Sequence, residues 1–160
     1  AIGLAIIIVG GFTIVQVGMI FPIPGSKYIL MSPFFSLVMF IVMTKVYNDY
    51  TILIIGTVFG FIMILHNLYM AISILLTAVT TLLSITPFQD HRLRARIGSI
   101  LFSAYSGSFA LIISKFLIGG VFSEIPNIQL IYTWLLCFIF GSLGTVLANK
   151  VLKHVTIYSY

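Results

Sequence analysis

Thr86-Pro87-Phe88-Gln89-Asp90-His91-Arg92-Leu93-Arg94-Ala95-Arg96 is the stretch on which the reading of this chain turns. Asp90, Arg92, Arg94 and Arg96 stand together there, in a chain of 160 residues that has only eight basic and three acidic side chains in all. Long apolar runs flank the stretch on both sides. Pro87 lacks a backbone donor and ends the run before it. A short arginine-rich gap between two apolar runs is what holds a loop on the cytoplasmic side of a membrane.

Working outward, the rest of the chain is nearly bare of charge. The hydrophobic fraction is 61% and the charged fraction 7%, with a mean hydropathy of +1.22. Soluble domains carry about 25% charged residues, so so few charges cannot cover a soluble surface of this size. The chain reads as integral to a membrane. A helical span needs about 20 apolar residues to cross a hydrocarbon core about 30 Å thick. Runs such as Ile52–Leu65 are continuous rather than alternating, which argues for helices against an outer-membrane barrel.

The expected fold is an all-α integral membrane protein, a compact bundle of six transmembrane helices forming one domain over residues 1–160. Spans are expected at about 1–21, 29–44, 51–66, 69–86, 97–118 and 129–149. Pro22, Pro24 and Gly25 break the chain after the first span, Asn48-Asp49 after the second, and Gly119-Gly120 through Pro126-Asn127 after the fifth. The third gap, His66-Asn67-Leu68-Tyr69, is a tight hairpin. Lys45, Arg92, Arg94, Arg96, Lys150 and Lys153 fall in the second and fourth gaps and the C-terminal segment, whereas the first, third and fifth gaps hold only Lys27. Under the positive-inside rule both termini are cytoplasmic. The first segment has no cleavage-site pattern, so no signal peptide is expected. The chain begins without Met, and a short polar stretch ahead of it is expected. The basic residues are split among short loops, which gives no reason to expect a nucleic-acid partner. The lone Cys137 sits in an apolar run, outside any disulfide or CxxC pattern.

Four features can carry function. Small residues recur at helical spacing: Ala1 and Ala5, Gly56 and Gly60, and Ser99, Ser103, Gly107, Ala110 and Ser114. Such stripes let helix backbones approach inside a bundle, or, for Ala1 and Ala5, dock another membrane subunit. Lys115 is the only basic residue within a span; it either snorkels to the outer interface or contacts an anionic ligand. Lys27, Tyr28, His66, Asn67, Tyr69, Glu124, Gln129, Tyr132 and Trp134 fall at outer helix ends or loops. They line either a small-molecule pocket or an ordinary interfacial belt. The Asp90–Arg96 stretch sets topology and offers a surface for lipid head groups or a cytoplasmic partner.

No Walker sequence, GxSxG, HExxH or paired intramembrane acid is present, and none of the three carboxylates lies within a span. No catalytic, cofactor or metal site is expected, and no coupling site for a proton or sodium gradient.

Six short spans, cytoplasmic termini, Ala1-x-x-x-Ala5 in the first span and an Ile23-Pro24-Gly25 outer loop resemble the substrate-binding S components of energy-coupling factor transporters. That resemblance implies capture of a vitamin or related micronutrient from outside by outer loops and the outer ends of the later helices. It implies partners, a transmembrane coupling subunit and two cytoplasmic ATPases, and toppling of the S component to deliver its substrate. Ala1 and Ala5 match the motif that faces the coupling subunit, and Phe21–Tyr28 matches a lid loop. The chain departs from the family at Ile29–Pro33, where many members carry an acid, and shows no N-terminal Met-His, so a metal substrate is not expected.

The sequence thus points to a substrate-capture subunit, not itself an enzyme, multi-pass in a bacterial plasma membrane. The expected site is Lys27 and Lys115 for an anionic or zwitterionic group, with Tyr28, His66, Asn67, Tyr132 and Trp134 as walls. The rival is a non-catalytic accessory or assembly subunit of a larger membrane complex.

Overall fold

The computed structural model describes residues 3, 5–7, 9–11, 13, 25–46, 48, 50–65 and 67–157, with backbone alone at 121 and 155–157. Among them the structure is all-helical. The described residues between 3 and 13 are helical and are followed by α1 (Ser26–Lys45), α2 (Thr51–Ile64), α3 (Leu68–Ile85), α4 (His91–Ile113) and α5 (Asn127–Ile157). A π turn, Ser114–Ile118, and a 3₁₀ turn, Gly120–Glu124, join α4 to α5.

Four helices are long and apolar enough to cross a membrane by length and composition: Ser26–Lys45, Leu68–Ile85, His91–Ile118 and Asn127–His154. The chain therefore has the build of a membrane protein. Helix α2 differs from its expected span of 51–66: it has 14 residues, which at 1.5 Å each reach about 21 Å against a core of about 30 Å. It stops early because the Asn67 side chain accepts hydrogen bonds from the backbone of Tyr69 (2.9 Å) and Met70 (3.4 Å), opening α3 at once. The arginine-rich stretch also differs from expectation. It is the first turns of α4, not a loop, since Asp90 caps that helix by accepting from Arg92 N at 3.0 Å, and Leu, Arg and Ala are strong helix formers. In the same way α5 runs past residue 149 and carries Lys150 and Lys153.

A polar seam sets the helix directions. Ser32 Oγ donates to the Cys137 carbonyl and Ser36 Oγ to the Gly141 carbonyl, a constant sequence offset that makes α1 and α5 parallel. Ser36 also meets Thr145 Oγ1 at 2.6 Å. Helix α4 runs the other way, with Ser99 on Thr145 (3.0 Å) and Ser103 on the Cys137 carbonyl (3.4 Å). Glycines permit this proximity: a Cβ on Gly144 would collide with the backbone of Pro33, and one on Gly141 with Ser103 Oγ. Beside the seam, α2 and α3 form an antiparallel pair, Gly56 lying against Ala78 and Gly60 against Leu75.

Gly3 lies on Val42 and Gly11 on Met31 and Phe35, so the N-terminal helical residues run antiparallel to α1. Residue 3 therefore stands at the end of the bundle that holds Lys45, the start of α4 and the end of α5. An apolar core of Met39, Phe40, Met43, Ile52, Phe59 and Phe102 fills the space between α1, α2 and α4.

Candidate functional site

The opposite end of the bundle gathers the beginnings of α1 and α5 and the end of α4. Gly25 opens α1 with φ of 92°, a left-handed conformation natural to glycine. Its carbonyl accepts from Tyr28 N (3.0 Å) and Ile29 N (3.2 Å). A Cβ at this position would also lie 2.9 Å from Thr133 Oγ1 and 3.3 Å from Leu111, so α1 begins wedged against both α4 and α5.

That wedge places Tyr28. Its side chain packs over Gly107, where a Cβ would lie 3.3 Å from Tyr28 Cβ, and Ser114 is a side-chain neighbour of its hydroxyl. The Lys27 ammonium lies over the Tyr28 ring, 5.0 Å from its centroid, a cation–π arrangement.

Lys115 follows Ser114 in the π turn, where Gly119 N donates to the Ser114 carbonyl at 3.1 Å. Single π turns are rare and frequently accompany functional sites. The Lys115 ammonium donates to the Ile125 carbonyl at 2.7 Å and to Asn127 Oδ1 at 2.6 Å. It therefore does more than snorkel: it ties the α4–α5 connection to the first residue of α5. Both acceptors are neutral, and they occupy two of the three donors an ammonium carries. The connection itself bends through Gly119 and Gly120, both at positive φ.

The structure thus brings Lys27, Tyr28 and Lys115 to one end, around Ser114. It does not gather the other expected residues there in the same way. Asn67 is exposed at the α2–α3 turn and spends its side chain on capping α3. Tyr132 and Trp134 flank the buried Thr133 on opposite sides of α5, since two residues of helix turn about 200°. Tyr132 is 59% exposed, and Trp134 stacks on Phe138 with centroids 5.6 Å apart. Tyr69 and Glu124 are exposed and Gln129 is half-buried. His66, Ala1 and Phe21–Pro24 lie outside the described residues. Ala5 is exposed, as are Val9 and Thr13 one and two turns on, while Gly3, Ile7, Gly10 and Gly11 face inward.

Two participants escaped the sequence reading. Asn127 was expected only as part of a gap and Ser114 only as part of a packing stripe. The signal for Asn127 is its place at the opening of a long apolar run, where a side-chain acceptor is common at a helix start. The Ile125 carbonyl carries no side-chain signal at all. Among the described residues, no group of three or more His, Cys, Asp or Glu side chains is placed to hold a metal ion. No family model, curated protein or solved structure matches the chain.

Proposed function

We propose that this chain is a six-span, multi-pass protein of a bacterial plasma membrane, with both termini cytoplasmic. It captures a small anionic or zwitterionic organic micronutrient, vitamin-like in class, at its outer face. Delivery is driven by a transmembrane coupling subunit and two cytoplasmic ATPases, as the resemblance to S components implies. The observation that carries the reading is Lys115. It brings a full positive charge to an end of the bundle poor in charge, held by neutral acceptors beside Tyr28 and Ser114. A carboxylate or phosphate there would find a charged donor and an aromatic wall. The exposed Ala5, Val9 and Thr13 supply a narrow face on which a coupling subunit's helix can lie. The assignment of the basic end to the cytoplasm follows the positive-inside rule.

The accessory-subunit reading draws on the same residue. Lys115 is already engaged with Ile125 and Asn127, which suits a bundle whose outer end is closed and whose business is its flanks. Native mass spectrometry of gently purified protein separates the two. On the capture reading a small metabolite is retained, and Lys115→Met weakens its retention about tenfold or more. Lipid and partner subunits alone, with no metabolite, decide for the accessory reading. Orientation is tested by cysteines placed at Ser123 and Lys153: they are expected to label from opposite sides, and same-side labelling rejects the six-span topology.

A further inference from the structure

At the basic end, α4 and α5 touch through Ser99 and Thr145, and beyond that contact their facing sides line a cleft of about 440 Å³. Arg92, Leu93 and Arg96 come from α4; Thr145, Val146, Asn149 and Lys153 come from α5; Phe40 of α1 and Asp90 complete the lining. Three cationic side chains and one carboxylate therefore line the cleft, and that carboxylate is engaged in capping α4 through Arg92 N. The arginines are four residues apart and so project from one helix face. Their planar guanidinium forks match the oxygens of a phosphate.

The other half of the cleft is apolar. Phe40 is buried, whereas Leu93 and Val146 are 41% and 45% exposed. From Val146 the exposed surface of α5 continues through Leu143, Leu147 and Val151, at the spacing of a single helix stripe. A basic rim that opens directly onto a lipid-facing apolar stripe suits a ligand with a phosphate at one end and hydrocarbon at the other.

We propose that this cleft binds an anionic phospholipid, its phosphate held by Arg92, Arg96 and Lys153 and its acyl chains lying along the Leu143–Val151 stripe. Basic pockets between helices on the cytoplasmic side are where anionic head groups bind. The proposal is independent of any substrate at the other end. Such a lipid would fill the space between α4 and α5 and brace the helix that ends in the π turn.

The test uses the full chain in nanodiscs of phosphatidylcholine with a minor share of phosphatidylglycerol, reading retained lipid by native mass spectrometry. Removing both cleft arginines, R92Q with R96Q, is expected to lower phosphatidylglycerol retention about tenfold or more. Lys45 and Lys150 stand at the same end but do not line the cleft, and K45Q with K150Q removes the same charge. That control is expected to change retention less than about twofold, because it touches only the diffuse surface potential. Val146→Trp keeps every charge and fills the cleft, and it should match the arginine variant; helical circular dichroism confirms that each variant is folded. Equal losses in the two charge variants, or full retention in Val146→Trp, overturn the site. Displacement of the lipid by millimolar inorganic phosphate, with the same dependence on Arg92 and Arg96, overturns the lipid and assigns the cleft to a soluble phosphorylated compound.

Discussion

The α1–α4–α5 seam and the α2–α3 hairpin both bring helices together through small residues, but they do so against different surfaces. In the seam, Gly144 lies on the backbone of Pro33, and the hydroxyls of Ser32, Ser36, Ser99, Ser103 and Thr145 reach across to other helices. In the hairpin, Gly60 lies on the Leu75 side chain, and the hydroxyls of Thr77 and Thr81 bond back within their own helix, to the Ser73 and Thr77 carbonyls. Lipid tails are as apolar as leucine, so helices in a bilayer gain little by burying leucine and must gain by fit and hydrogen bonding. The seam uses both. Among the described residues the two hairpin helices meet by fit, with one side-chain hydrogen bond, Ser84 to Tyr105 of α4 at 3.2 Å, tying the hairpin to the seam, and its helix α2 has only 14 residues. The seam is the frame of the molecule, and the hairpin is fastened to it.

The sharpest way to break this comparison is to add one methyl group to each. Gly144→Ala drives a Cβ into the Pro33 carbonyl and Cα. Backbone cannot swing aside as a side chain does, and proline fixes its own φ. A loss of about 3 kcal/mol is expected, at the upper end of the usual overpacking cost. Gly60→Ala meets Leu75 Cγ at 3.1 Å and the Ala71 carbonyl at 3.6 Å. Leu75 can shift by a few tenths of an ångström, and alanine recovers up to about 1 kcal/mol of helix propensity. The net change should stay within about 1 kcal/mol. Unfolding by titration with SDS in micelles measures both, and equal effects would remove the distinction between frame and attachment.

A second pair of variants addresses the hydrogen bonds. Thr145→Val removes a hydroxyl shared with Ser36 and Ser99 and is expected to cost about 1 kcal/mol, the range of interhelical hydrogen bonds in membrane bundles. Thr77→Val removes a hydroxyl that only back-bonds to the Ser73 carbonyl at 2.8 Å. That carbonyl keeps its helical partner, and valine fills the same shape, so the cost should be under about 0.5 kcal/mol. The same SDS titration reads both. A loss at Thr77 as large as that at Thr145 would mean the two hairpin helices are held by more than fit.

How much of this is legible in the sequence depends on whether the signal is local. Pro87 and the Gly119-Gly120 pair mark turns because their backbone chemistry acts where they stand. The Ser99, Ser103, Gly107, Ala110 and Ser114 stripe is readable as a packing face, and it does face α1 and α5. Its counterpart on α5, running through Cys137, Gly141 and Thr145, is not readable. Helix α5 is apolar all round, and against lipid a buried face and an exposed one can have the same composition. The end of α2 depends on Asn67 acting as a cap rather than as a wall of a pocket, a choice its identity leaves open. The site at Lys115 depends on a π turn and a backbone carbonyl, neither of which has a residue pattern. The basic cleft depends on how α4 and α5 stand beyond Thr145, which the spacing of charges along the chain does not carry.

A last pair of variants lies at Asn67, and it separates structure from ligand binding at one of the expected site residues. The Asn67 side chain accepts from two backbone donors at the start of α3. Asn67→Ala leaves both donors without that partner and should cost about 1 kcal/mol, the usual worth of an N-cap. Asn67→Asp keeps an acceptor of equal quality at the same place and adds charge of the favourable sign for a helix start. Stability should therefore survive the aspartate and fall with the alanine. If Asn67 also hydrogen-bonds a ligand through its amide N–H₂, the aspartate removes those donors and lowers retention of a co-purified metabolite while leaving unfolding unchanged. A residue that serves only to turn α2 into α3 shows no such split: the aspartate leaves both measurements unchanged, and the alanine alone loosens the hairpin. Equal destabilisation by both substitutions would reject the cap and with it the account of why α2 stops at Ile64.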